Sequence, residues 1–212
     1  MFNFQNSSNI LITKLLFGTY SLSFYKACIK RAAKGKEMHY PFHPAADRPF
    51  SEYFHNALFP DTSQYLTING AELNINRVAF NISLSKVIKN YGRPELFNVF
   101  EHDGQPVSIA GYRVRYGTIK YKKLLFFIDN SFVMSALVFS TSNLSEITET
   151  IQHLLQSKNI YLKLPPDGNL LINNDSETRL VLDRQLSATI LYNLDPQNKK
   201  IELIKRGLSN SN

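Results

Sequence analysis

Residues 124–139 read LLFFIDNSFVMSALVF, two apolar runs of strand length on either side of Asp129-Asn130. That dipeptide forms turns readily, so the stretch predicts a hairpin with arms from Lys123 to Ile128 and from Phe132 to Phe139. Successive side chains of a strand point to opposite faces, and here odd and even positions are both apolar. Both faces must then be shielded from water, which places the hairpin at the centre of a sheet with helices laid against it.

Working outward, Val78 to Ile151 reads as one unit: a strand, a short helix, a meander of strands and a second helix. Ser83 is placed to cap the first helix, and Leu84, Val87, Ile88 and Tyr91 share one face at i, i+3, i+4, i+7 spacing. Gly92 can take the left-handed C-terminal cap, and Pro94 disfavours helix at Arg93 before it. The chain then extends through Leu96 to Phe100, turns at Asp103-Gly104, and continues as a strand from Val107 to Tyr116. Val107 and Ile109 are odd, whereas Tyr112, Val114 and Tyr116 are even, and a bulge at Ala110-Gly111 would account for the change of phase. The second helix opens at Asn143 with Glu146 three residues on, and Leu144, Ile147, Ile151, Leu154 and Leu155 form its apolar stripe.

The segment Ile82 to Glu95, ISLSKVIKNYGRPE, leading into antiparallel strands, resembles the repeat of β-lactamase inhibitory proteins and of small outer-membrane assembly lipoproteins. The resemblance covers about residues 78–140, and Asn81 and Ile82 stand where those families usually carry a glycine before the cap. It implies a non-enzymatic module that presents a sheet face or loop to a protein partner. No individual contact residue carries over.

On either side, Tyr65 to Ile68 and Ala71 to Ile75 read as a hairpin about Asn69-Gly70. Further strands are expected at Tyr161 to Leu164, Leu170 to Asn173, Thr178 to Asp183, Ala188 to Asn193 and Lys200 to Lys205. The expected fold class is α+β, mostly antiparallel sheet with two packed helices, preceded by a helical basic N-terminal arm. Five segments follow: an arm at 1–38, a Pro- and aromatic-rich linker with a short helix at 39–60, an α+β unit at 61–143, a helix with antiparallel strands at 144–206 packed on that unit, and a tail at 207–212. The short helix gathers Phe50, Tyr53, Phe54, Ala57 and Leu58, begins at Asp47 or Ser51 and stops at Pro60.

The charge of +7 is concentrated. Lys14, Lys26, Lys30, Arg31, Lys34 and Lys36 occur before residue 37 with no acid, leaving a balance of +1 for the rest of the chain. A second excess lies at Arg113, Arg115, Lys120, Lys122 and Lys123. These two groups supply the candidate contacts to an anionic partner: Lys26, Lys30, Arg31, Lys34 and Lys36 on the arm, and the five cations of the strands. In the arm, Lys26, Lys30 and Lys34 would form a basic edge on a helix from Tyr20 to Lys36, suited to an anionic membrane surface, a nucleic acid or an acidic protein. Ile10 to Ile29 is interrupted by Lys14 and Lys26, and no positive charge precedes it within Met1 to Thr13, so neither a membrane span nor a secretory signal is expected. In the strands, Arg113 and Arg115 alternate with Tyr112, Val114 and Tyr116, which separates charge from rings and weakens a stacking platform for nucleic acid.

Motifs of catalysis are missing from the sequence. It holds no Gly-x-Ser-x-Gly elbow, His-Glu-x-x-His pair, Cys-x-x-Cys or lysine-bearing phosphate loop, and Pro41 keeps His39 and His43 off one helix face. Glu101, His102 and Asp103 are expected as solvated residues at a turn. Cys28, the single cysteine, excludes an internal disulfide framework and fits a reducing compartment. The expectation is a cytoplasmic, non-enzymatic binding or adaptor module with a protein partner and without cofactor, metal or small-molecule ligand. The alternative is an anionic-surface binder, for a membrane surface or nucleic acid, acting through the basic arm.

Overall fold

The hairpin at 124–139 lies inside an eight-stranded sheet. A computed structural model describes residues 44–61, 64–68, 73–102, 104–140, 143–165, 168–174, 178–184 and 188–209, with residues 22, 23, 26 and 27. In chain order the elements are α1 (Pro44–Leu58), β1 (Gln64–Ile68), α2 (Leu84–Tyr91), β2 (Leu96–His102), β3 (Gln105–Tyr116), β4 (Ile119–Ile128), β5 (Ser131–Ser140), α3 (Leu144–Gln156), β6 (Leu170–Asn174), β7 (Arg179–Arg184), β8 (Ala188–Leu194) and α4 (Lys199–Ser209). The strand order is β1-β6-β7-β8-β5-β4-β3-β2, antiparallel throughout except for the parallel pair β1 and β6. The fold class is α+β. The segments expected at 61–143 and 144–206 share this one sheet, because β5 pairs with β8.

Shielding of the central hairpin is two-sided. Leu124, Phe126 and Ile128 of β4 pack with Phe54, Ala57 and Leu58 of α1 and with Ile201 and Ile204 of α4. On the opposite face Leu125, Phe127 and Phe132 pack with Val87 of α2 and with Leu22. Further along that face, Leu137 and Phe139 of β5 meet Ile147, Ile151 and Leu155 of α3. Each fully buried Phe contributes about 1.5–3 kcal/mol relative to exposure, so the aromatic content is concentrated where it stabilises most. Asp129 and Asn130 both have positive φ, the conformation a two-residue hairpin turn requires.

Several local expectations are corrected. The bulge expected at Ala110-Gly111 is absent, since β3 keeps one uninterrupted register with both β2 and β4. The apolar phase of β3 changes because the covering helix changes: Val107 and Ile109 lie under α1, whereas Ala110 and Tyr112 lie in the cluster under α2. Gly111 serves close packing instead, as a Cβ there would come within 3.1 Å of the Leu96 Cβ. The irregularity falls in β5, where Phe126 pairs with Met134 and Phe127 with Phe132, leaving Val133 as the extra residue.

Asn69-Gly70, the turn of the expected hairpin, lies outside the described residues, and the described part of the expected second arm, Leu73 to Ile75, is not strand. Strand β1 pairs in parallel with β6. The buried Asn193 of β8 holds the 73–76 segment instead, its Nδ2 donating to the Leu73 carbonyl at 2.7 Å and its Oδ1 accepting from Asn76 Nδ2 at 2.9 Å and from the Ile75 N–H at 3.3 Å. Val78 to Ile82 makes no strand, but it is tied to β5 by the bridge of Ser83 to Ser131, by the Asn81 N–H donating to the Phe132 carbonyl at 2.8 Å, by the Phe132 N–H donating to the Ile82 carbonyl at 2.9 Å and by the stacked rings of Phe80 and Phe132. Tyr161 to Leu164 is extended without a ladder, because the Gln152 side chain takes its backbone groups: Gln152 Oε1 accepts from Leu164 N–H at 3.1 Å, and Gln152 Nε2 donates to the Leu162 carbonyl.

Lys200 to Lys205, expected as a strand, is helical. Asn198 caps it, accepting the Lys200 N–H at 3.0 Å, and Ile201 and Ile204 are buried at i, i+3 spacing while Leu203 is 66% exposed. The α1 helix starts at Pro44, earlier than Asp47. Helix α2 begins at Ser83 as expected, but the Ser83 hydroxyl bonds Ser85 and the Leu84 N–H is taken by Asn130 Oδ1 at 3.1 Å. Gly92 ends α2 with φ of 82°, and Asn143 caps α3 by accepting the Glu146 N–H at 3.3 Å. Leu144, expected in the α3 stripe, is exposed. Of the basic arm, residues 22, 23, 26 and 27 are helical, and the remainder, including Lys30, Arg31, Lys34 and Lys36, lies outside the described residues.

Candidate functional site

The composition of β3 and β4 changes abruptly toward the turn at Gly117-Thr118. Before that point their facing residues are apolar; after Gly111 on β3 and before Leu124 on β4 they are basic. Antiparallel register sets Arg113 directly opposite Lys122 and Arg115 directly opposite Lys120. Directly opposed residues project to the same side of a sheet, so all four cations share the face on which Gly111, Leu124 and Ile109 pack toward α1. They line an open cleft of about 620 Å³ with Tyr53 of α1 and with Val138 and Ala188 of β5 and β8. The cleft lies past the last helical cover of that face. Its cations are solvated, Arg113 being 85% exposed.

Glu95, immediately before β2, pairs with this group. Its Oε2 is 3.3 Å from Arg113 Nε, and its Oε1 accepts the Arg113 backbone N–H at 3.3 Å. Both partners are largely exposed, so the pair contributes little to stability. Arg115 Nε donates to the Gly117 carbonyl at 2.8 Å, which stiffens the side chain over the turn. Burial, assisted by Glu52, raises the Tyr53 phenol above its ordinary range, so it remains a protonated hydroxyl beside the cations. The arrangement can bind anionic groups in a row.

Lys123 does not join the cluster. One residue from Lys122, it points to the other face, where it is 7% exposed, its Nζ donating to Tyr91 Oη at 3.0 Å and standing 4.7 Å above the Tyr91 ring centroid. Burial, with Lys158 and Arg77 nearby, lowers its ammonium to about 7. Tyr112 is on the same face against Tyr91, its phenol pushed up to about 12 by burial and by Tyr91, and donates to the Gly92 carbonyl. Tyr121 stacks on Phe139 there as well. Tyr112 and Tyr121 therefore lie on the face opposite the four cations, whereas Tyr53 of α1 stands beside them. Of the arm candidates, Lys26 is exposed and the other four fall outside the described residues.

His102, expected as a solvated turn residue, is buried in β2 instead. Its position is two residues from Phe100 on the α1 face, with its ring 5.1 Å from that of Phe54 and its Nδ1 3.4 Å from Ser51 Oγ. Glu101 is exposed on the strand beside it, and Asp103 lies outside the described residues. Among the described residues no group of three His, Cys, Asp or Glu side chains is arranged to hold a metal ion, and no helix is long and apolar enough to cross a membrane. What sequence reading missed is the pairing of the four strand cations across two strands; that follows from register, and the turn at Gly117-Thr118 was its available signal. Comparison with known proteins finds no matching family model, no matching curated protein and no matching solved structure.

Proposed function

We propose that the protein is a non-enzymatic binding module that takes an acidic segment of a protein partner on the cationic face of β3 and β4. One observation carries this reading: Arg113 opposes Lys122 and Arg115 opposes Lys120 on a single face, beside a cleft that would accommodate an extended chain. Like charges directly opposed across a sheet destabilise it by up to about 1 kcal/mol per pair, and an anionic occupant relieves that repulsion. Separation of the cations from Tyr112 and Tyr121 favours a carboxylate-bearing chain over nucleic acid, which gains much of its single-strand affinity from stacking on rings. The resemblance of residues 78–140 to protein-binding repeats points in the same direction.

The test is fluorescence anisotropy of the full chain with a labelled peptide rich in glutamate. Binding is expected to weaken steeply with salt and to fall about tenfold or more in Arg113→Glu/Lys122→Glu, both exposed positions whose substitution leaves the circular dichroism unchanged. A labelled single-stranded oligonucleotide that binds more tightly than the peptide overturns the assignment to a protein partner. Binding to anionic vesicles that survives the double charge reversal, with no peptide binding, assigns the interaction to Lys26, Lys30, Arg31, Lys34 and Lys36 instead.

A further inference from the structure

The edge of the sheet beside the cations has a built-in gap. Strand β2 pairs with β3 as far as Leu96 opposite Gly111, and the Glu95 N–H makes the last backbone bond, to the Gly111 carbonyl at 2.9 Å. Pro94 comes next and has no N–H to offer, while Gly92 has already turned the chain back toward α2. Strand β3 continues to Tyr116 with β4 on one side, and among the described residues no strand pairs with its outer edge beyond Gly111.

Backbone groups along that edge face outward with a period of two. The Gly111 carbonyl and the Arg113 N–H both point to the β2 side, so the Arg115 N–H and carbonyl do too. A carboxylate already stands in the gap: Glu95 Oε1 accepts the Arg113 N–H where the carbonyl of a neighbouring strand would accept it, and Glu95 Oε2 pairs with the Arg113 guanidinium. A chain bearing carboxylates can reproduce both contacts.

Resting on the proposed acidic partner, we infer that its segment binds as an added strand on the outer edge of β3 from Arg113 to Tyr116, with acidic residues at alternate positions. On one face those residues meet Arg113, Arg115 and, across the strand, Lys120 and Lys122. The intervening residues fall on the other face, beside half-buried Val114 and Tyr116, which is 41% exposed, and are apolar or β-branched. Main-chain bonds to the edge supply affinity, and the alternation of charge supplies register.

The experiment uses the full chain and a labelled peptide in which glutamate alternates with valine or threonine. Two further peptides carry N-methyl groups on either the glutamate nitrogens or the intervening nitrogens. In an added strand one set faces β3 and the other faces solvent, so methylation of one set lowers affinity about tenfold or more and methylation of the other leaves it within about twofold. Glu95→Gln, which weakens the resident competitor at an exposed site, tightens the unmethylated peptide several-fold. Equal effects of the two methylation patterns, or none from either, overturn strand addition. Arg115→Glu separates the two ideas: loss of peptide binding in that variant retains the acidic partner on this face even if strand addition has failed. Indifference to Arg115→Glu, or no binding of any acidic peptide, removes both.

Discussion

Replacing Lys123 by methionine should stabilise the protein near neutral pH. The ammonium lies on the α2 face of β4, 7% exposed, and its neighbours Lys158 and Arg77 are themselves cationic. Burial is the largest cause of its fall from 10.5 to about 7, and the two cations add to it. The sign follows from linkage: the folded value is below the unfolded one, so between these two pH values the unfolded chain holds more protons than the folded one, and stability rises with pH across that window. Below about 7 both states are protonated and the full penalty is present; above about 10.5 both are neutral and it is gone. At about 1.36 kcal/mol for each pH unit separating the two values, the penalty comes to about 5 kcal/mol. Methionine has a similar length and no charge, but it forfeits the contact with the Tyr91 ring and the bond to its hydroxyl, together about 1–2 kcal/mol. The net gain at neutral pH is then about 2–4 kcal/mol, shrinking as pH approaches 10.5. Urea denaturation of both proteins from about pH 6 to about pH 10 measures it, and taking the difference removes the titration of groups common to both. A variant less stable than the parent at neutral pH, or a difference that does not change with pH, would refute the argument.

Substitutions at three further positions test the packing that carries the site. Asn193→Leu strands the Leu73 carbonyl and the Ile75 and Asn76 donors that its amide serves, and should cost about 2–4 kcal/mol by denaturant titration; Asn193→Asp, which keeps the acceptor but not the donor, should also destabilise. Tyr192→Phe removes a fully buried hydroxyl that finds no hydrogen-bond partner among the described residues, so the melting temperature should hold or rise, and a loss above about 1 kcal/mol would contradict that reading. Gly111→Val pushes a branched side chain against Leu96 and Leu124 and should destabilise by about 1–3 kcal/mol, with the loss of amide-exchange protection greatest in β2.

Legibility of the fold in the sequence followed the length and purity of the apolar pattern. The central hairpin, α2 with its Gly92 cap and α3 with its Asn143 cap were readable because period, cap and breaker agree within a few residues. Where one local signal competed with a tertiary contact, the contact prevailed. Asn69-Gly70 suggested a hairpin, but Asn193, more than a hundred residues away, takes the backbone groups of the second arm. Ile201 and Leu203 alternate like strand residues, yet the Asn198 cap and the apolar surface of the sheet select Ile201 and Ile204 as a helical pair. The phase change in β3 suggested a bulge, and it records instead which helix lies above each half of the strand. The candidate cations were legible as a cluster in the sequence, but their division between faces needed the register: Lys122 and Lys123 are neighbours in the chain and end on opposite sides of the sheet.

That division links stability to recognition along the same two strands. Where α1 covers β3 and β4, directly opposed residues are Ile109 with Phe126 and Val107 with Ile128, and burial stabilises them. Past Gly111 the opposed pairs become cationic, which costs the free sheet a small electrostatic penalty while discouraging edge pairing with a second copy. Lysine and arginine on an open edge repel another identical edge, but attract a strand whose alternate side chains are carboxylates. In the proposed reading the same residues act against self-association and in favour of one class of partner. If a strand is added there as proposed, Glu95 sets the threshold between the two, because its carboxylate already meets both the backbone and the side chain of Arg113 and would have to be displaced by anything that extends the sheet at that edge.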